Sequence, residues 1–138
     1  MNAIYPVACS TRLADSREFY RELLGLEVVF ENDWYVGLIH PEDASVQLGF
    51  VAADHDSVPA AYRAPAQGVL VTVEVDDVDA IRERARDQGV PIELELRDED
   101  WGQRHFIAAD PNGLLVDVVR VIPPSEAFAA AYAPGALG

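Results

Sequence analysis

Leu13, Tyr20, Leu23 and Leu24, with the small Ser16 among them, recur at helical spacing, and Gly25 follows where a helix-ending glycine belongs. Asp15 with Glu18 three residues on has the spacing of a capping box. An apolar run at residues 4–9 precedes this helix. Residues 26–30, 34–39 and 45–51 follow it as three strands, rich in β-branched and aromatic side chains, with the turn His40-Pro41-Glu42-Asp43 between the last two. The order then recurs. Residues 69–75 read as a strand, and Asp76 or Asp77 caps a helix reaching about Gln88, with Val78, Ile81 and Ala85 as its apolar face and Gly89 at its end. Residues 92–96 alternate as a half-buried strand should, 103–108 form another, Asp110-Pro111-Asn112-Gly113 turns the chain, and 114–121 close the unit.

The two halves agree in spacing, since Pro41 precedes Gln47 by six residues and Pro111 precedes Asp117 by six. The expectation is therefore an α+β fold of two tandem βαβββ modules, about residues 3–52 and 68–122, joined by a linker at 53–67 and followed by a tail at 123–138. A module of about 55 residues covers one sheet face with its helix and is marginal alone. Pairing two such modules encloses a concave mixed-sheet cleft, the kind of place where ligands bind. The linker has room for one helical turn at 57–62. In the tail, Phe128 and Tyr132 are spaced to cover apolar surface on this subunit or on a partner.

Composition narrows the function. Ten arginines, no lysine and 24 carboxylates leave a net charge of −14, which repels phosphate backbones and argues against nucleic acid. No apolar run approaches the roughly 20 residues that span a bilayer, and Met1-Asn2-Ala3-Ile4-Tyr5-Pro6 lacks the pattern of a signal peptide. A cytoplasmic protein without membrane contact is expected. Cys9 is the sole cysteine, so no intrachain disulfide forms, and it reads as a buried structural thiol.

Set within paired βαβββ units, the segment Ser16-Arg17-Glu18-Phe19-Tyr20-Arg21-Glu22-Leu23-Leu24-Gly25 and the later Asp110-Pro111-Asn112-Gly113 resemble the vicinal oxygen chelate superfamily over residues 4–121. That group includes glyoxalase I, extradiol dioxygenases, fosfomycin-inactivating enzymes and bleomycin resistance proteins. Trp101-Gly102-Gln103-Arg104-His105-Phe106, leading into the second motif, is most similar to the bleomycin-resistance branch. The resemblance implies metal ligands at four equivalent points, which fall here on Tyr5, Gln47, about Leu70, and Asp117. Such a site wants His and Glu, and only Asp117 is an ordinary ligand. No metal or other cofactor is therefore expected, and no metal-ligand set is assigned.

His40, His55 and His105 have no spacing that gathers them. Gln103, His105 and Ile107 share one strand face and Arg104 and Phe106 the other, and either face can point inward. Trp34 and Trp101 each lead into the third strand of a module beside an acidic run, as core residues or as flat walls for a planar or cationic ligand. The candidate ligand-binding residues are Tyr5, Trp34, Gln47, Trp101, Arg104, His105 and Asp117. The leading expectation is a metal-independent, homodimeric protein that binds an antibiotic-like small molecule. The alternative is an enzyme of the same superfamily, either a lyase or isomerase with a weak or divergent divalent-metal site or a metal-free catalyst, with His105 or Asp117 as base and Arg104 or Gln47 as stabiliser. A third is an interaction subunit with an empty cleft.

Overall fold

The computed structural model describes residues 1–137, and its strands and helices follow the sequence periodicities closely. The chain divides into two compact units, Met1–Val69 with Asp110–Leu114, and Leu70–Ala109 with the chain from Leu115 onward.

In unit 1, β1 (Val7–Ser10), β2 (Glu27–Glu31), β3 (Tyr35–His40) and β4 (Asp43–Ala52) form a sheet of order β1-β4-β3-β2, with β1 parallel to β4 and the remaining pairs antiparallel. Helix α1 (Leu13–Leu24) buries Ser16, Tyr20 and Leu23. Tyr20 lies against Phe50 with ring centroids 5.0 Å apart, and both are fully buried beside Val36 and Leu38. Gly25 ends the helix at φ +71°, its N–H donating to the Arg21 carbonyl. The capping box does not form. Arg12 takes the cap position, which puts Asp15 in the first turn, where it pairs with Arg12, while Ser10 Oγ accepts the Arg12 N–H. The linker's helical turn is confined to a 3-10 segment, Ala60–Tyr62.

Unit 2 repeats the topology. Its strands are β5 (Leu70–Glu74), β6 (Ile92–Glu99), β7 (Gln103–Ala109) and β8 (Leu115–Val121), in the order β5-β8-β7-β6 with β5 parallel to β8. Helix α2 (Val78–Asp87) is capped by Asp77, whose carboxylate accepts the Ala80 N–H. It buries Val78 and Ala85, and Phe106, Ala108, Val116 and Val118 complete a core without exposure. Burying a Phe or Val side chain this fully stabilises by roughly 1.5–3 kcal/mol. A short helix α3 (Glu126–Ala129) lies in the tail. Among the described residues no helix is long and apolar enough to cross a membrane.

Candidate functional site

The alternation of β7 resolves in unit 2. Phe106 belongs to the buried core and Arg104 reaches Asp79 on α2, at 2.8 Å and 3.1 Å, so these two face the helix. Gln103, His105 and Ile107 therefore occupy the helix-free face. On β8, Asp117 pairs in register with Ile107 on one side and Thr72 on the other, which places its carboxylate on that same face. Register shifts in β6 between Ile92 and Leu94 and between Leu94 and Arg97 bring Arg97 opposite His105 and Glu99 opposite Gln103.

These placements assemble a chain of charged groups. His105 Nδ1 lies 2.7 Å from Asp117 Oδ1, and Nε2 lies 3.1 Å from Glu99 Oε1. Arg97 Nε donates to the same Glu99 oxygen. The Arg97 guanidinium, and after it the His105 ring, hold the Glu99 carboxyl below the ordinary carboxylate range. An ionised carboxylate only accepts, so each contact uses a ring N–H, and both at once need the doubly protonated ring. His105 is 4% exposed and Asp117 is 7% exposed, so these partners replace water for the imidazole and the Asp117 carboxylate. Trp101 stands beside them at the β6–β7 turn. Its ring meets His105 edge-on at 6.0 Å, and its Nε1 donates to Gln103 Oε1 at 2.7 Å.

A divalent ion needs donors converging on one point at about 2.0–2.2 Å. The two carboxylates instead sit at opposite nitrogens of one imidazole. Of the four points implied by resemblance, Asp117 has an oxygen engaged by His105, and its in-register neighbour on β5 is Thr72, with Leu70 opposite Leu115. Tyr5 and Gln47 lie in unit 1 and add a phenol and an amide. The residues present do not fit a metal centre of that kind, and among the described residues no cluster of three or more His, Cys, Asp or Glu is arranged to hold a metal.

The helix-free face of unit 1 is different in chemistry. Gly37 and Gly49 pair in register, and a Cβ on Gly49 would stand 2.3 Å from the Tyr35 hydroxyl, so the absent side chain makes room for that phenol. Burial, and then the neighbouring Tyr5, raise the Tyr35 hydroxyl above its ordinary range. Gln47 is half-buried opposite Ile39. Trp34 offers no open face on one side, because the His55 ring stacks on it at 3.9 Å and 7°. Cys9 is half-buried rather than buried, with Sγ 3.9 Å from the Tyr62 carbonyl.

The strand face left open by alternation is thus assigned. Arg104 is turned to α2, where Asp79 and Asp98 hold it, away from the face carrying His105. The three histidines have separate partners: His40 Nδ1 accepts the Glu42 N–H, His55 stacks on Trp34, and His105 bridges two carboxylates. Glu99 and Arg97 escaped sequence reasoning because Asp98-Glu99-Asp100 reads as a solvated loop. Counting back across the tight turn from Gln103 to Glu99 would have found them.

The two motifs behind the family resemblance meet in unit 1. Tyr20 Oη donates to Asp110 Oδ2 at 2.9 Å, and Asp110 Oδ1 accepts the N–H groups of Asn112 and Leu114. Asn112 Nδ2 donates to Ser10 and Ser16, and its Oδ1 accepts the Thr11 N–H. Their role here is architectural, anchoring the 110–114 turn to the start of α1.

The family profile described as Glyoxalase/Bleomycin resistance protein/Dioxygenase superfamily matches residues 5–118. Solved structures with the same fold include a glyoxalase/bleomycin resistance protein/dioxygenase family enzyme from Burkholderia phytofirmans PsJN, with a TM-score of 0.73, 17% identity, and coverage of 86% of this chain and 97% of that one. TioX from Micromonospora sp. ML1 is similar at a TM-score of 0.69 and 17% identity, over 88% of this chain and all of its own, 100%. Lactoylglutathione lyase from Agrobacterium tumefaciens has a TM-score of 0.67 and 22% identity, over 87% of this chain and 94% of its own. A comparison with curated proteins finds no match.

Proposed function

Given that this chain belongs to the glyoxalase/bleomycin resistance protein/dioxygenase superfamily, we propose that it is a metal-independent binding protein for a small planar or cationic organic molecule, in the manner of bleomycin resistance proteins. The observation that carries this reading is Trp101. Its indole is 37% exposed, fixed at the N–H by Gln103 and met by the His105 ring at its side, so a flat apolar wall stands in the turn that also carries Asp100. The net charge of −14 favours a cation over an anion at long range. Donor chemistry supports metal independence, since Asp117 and Glu99 are engaged by His105 and do not converge on a common point.

The test is calorimetric and fluorescence titration of EDTA-treated protein with planar cations such as proflavine. Saturable binding that quenches Trp101 and survives chelation is expected. Absence of heat and quenching, or binding restored only by added divalent metal, overturns the reading. The protein acts as a homodimer on this view, because unit 1 leaves Ile4, Val29 and Phe30 exposed at 85%, 61% and 53%. Light scattering that returns a monomer of 15.1 kDa at working concentration counts against that part.

One feature favours a second reading, proton-transfer catalysis. A carboxylate 2.7 Å from Nδ1 orients the His105 ring and leaves Nε2 as the reacting atom once Glu99 withdraws. Turnover of 5-nitrobenzisoxazole, in which a base takes the C–H proton as the N–O bond breaks, would support it if His105→Gln abolishes the rate and Asp117→Asn lowers it.

A further inference from the structure

We propose that the C-terminal segment, residues 125–132, completes the ligand site by forming with Trp101 an aromatic pocket for an alkylated ammonium group. The proposal rests on the reading of unit 2 as a cation-binding face and adds the class of cation and the segment that selects it.

The segment is seated on the β6–β7 turn by main-chain contacts. Ile122 N–H donates to the Gly102 carbonyl and Ser125 N–H to the Asp100 carbonyl, both at 2.9 Å. Gly102, at φ +109°, has no space for a side chain, since a Cβ there would lie 2.8 Å from the Ile122 oxygen and 3.3 Å from Pro124. Docking in this way brings the ring of Phe128 and the hydroxyl of Tyr132 to Trp101. Phe128 lies with its centroid 6.3 Å from the indole at 66°, and Tyr132 Oη donates to the Trp101 carbonyl at 3.1 Å.

Rings brought together only to bury one another would be covered. Here Trp101, Phe128 and Tyr132 keep 37%, 42% and 43% of their surface exposed. Their surroundings are acidic, with Asp100 in the turn and Glu126 in the segment, and no arginine or lysine occurs after Arg120. Of the guanidiniums on β6 and β7, Arg97 is paired with Glu99 and Arg104 with Asp79 and Asp98. Inclined π-faces in a negative field attract a cation, and a quaternary ammonium suits them best because it is weakly hydrated and presents methyl groups to the rings.

The probes are choline and its neutral isostere 3,3-dimethylbutan-1-ol, titrated against full-length Trp34→Phe protein so that Trp101 alone reports. Choline is expected to change Trp101 emission saturably and the isostere not to do so. Phe128→Ala and Tyr132→Ala should each weaken choline affinity by about fivefold to tenfold with far-ultraviolet circular dichroism unchanged. Equal responses to choline and the isostere, or choline affinity unchanged in both alanine variants, overturn the proposal. Proflavine titrated against the same variants separates the two claims. Retained proflavine binding without a choline response refutes only the alkylammonium pocket, whereas loss of response to both probes in the parent protein refutes the binding reading as well.

Discussion

The two units share a strand order and differ in what they mount on it. Unit 1 places phenols, an amide and paired glycines on its helix-free face, and draws its buried polar links to the helix side, where Tyr20, Ser10 and Ser16 meet the 110–114 turn. Unit 2 fills its helix side with apolar groups, the Arg104–Asp79 pair apart, and runs a charged chain across the helix-free face, Asp117 to His105 to Glu99 to Arg97. Position six after the turn proline is a neutral Gln47 in one copy and a partnered, buried Asp117 in the other. A repeated backbone thus keeps its geometry while its polar investment moves from one sheet face to the other. In unit 1 that investment holds the fold. In unit 2 it links one strand to the next, from Asp117 on β8 through His105 on β7 to Glu99 and Arg97 on β6.

The largest expected effect breaks unit 1's anchor. Asp110 is 5% exposed and accepts three hydrogen bonds, so Asp110→Ala leaves the Tyr20 hydroxyl and two backbone N–H groups short of partners and should cost about 3 kcal/mol in urea unfolding. Tyr20→Phe keeps the ring against Phe50 and should cost about 1 kcal/mol. It also changes the alkaline limb. Burial, then Asp110, push the Tyr20 hydroxyl well above its ordinary 10.0, so folding favours the protonated form and stability falls as pH rises past 10, where the unfolded chain ionises. That part of the fall should vanish in the Phe variant.

Next comes the repeat position itself. Asp117→Ala strands a buried imidazole N–H and should cost about 2 kcal/mol, whereas Gln47→Ala removes an uncharged, half-buried side chain and should cost under about 0.5 kcal/mol. Equal losses would mean that the Asp117–His105 contact contributes little. Asp117→Asn, which keeps an acceptor in place, should fall between them.

These residues also mark the limit of what the sequence makes legible. Element order, both helix faces and the helix-ending glycines follow from periodicity, because local spacing alone sets them. Asp77 is found as a cap, while the Asp15 box fails because the helix starts three residues earlier, at a residue with no capping side chain. The Tyr20–Asp110 bond spans ninety positions, |i−j| = 90, and no local pattern encodes it. His105 and Arg104 are adjacent on an alternating strand, and alternation is symmetric until a partner breaks it. Asp79 does so for Arg104, and register shifts in β6 do so for His105. His55 reads as linker until its ring is seen stacked on Trp34.

Where the units are alike, they should respond alike. Gly25 and Gly89 both follow a helix at positive φ, +71° and +67°, and nothing lies within 4 Å of where a Cβ would be. The cost of alanine is therefore backbone strain without a clash, about 1 kcal/mol at each position. Thermal unfolding of the two single variants should give matching losses. A difference much beyond 0.5 kcal/mol, roughly the error of additivity, would show that the helix ends are not equivalent.

The smallest expected effect concerns the exposed end of unit 2's charged chain. Arg97 and then His105 depress the Glu99 carboxyl, so the stability it contributes is present above the ordinary carboxylate value of 4.5 and is lost as pH falls through the lower, folded value. Glu99→Gln should therefore be slightly less stable than the parent at pH 7, and the gap should close as pH drops below 4.5. Urea midpoints at pH 7, 4.5 and 3 measure it. A gap independent of pH would mean that the glutamine perturbs packing rather than charge. A gap that widens in acid would place the stabilising proton on Glu99 itself and reverse the direction of the Glu99–His105 hydrogen bond.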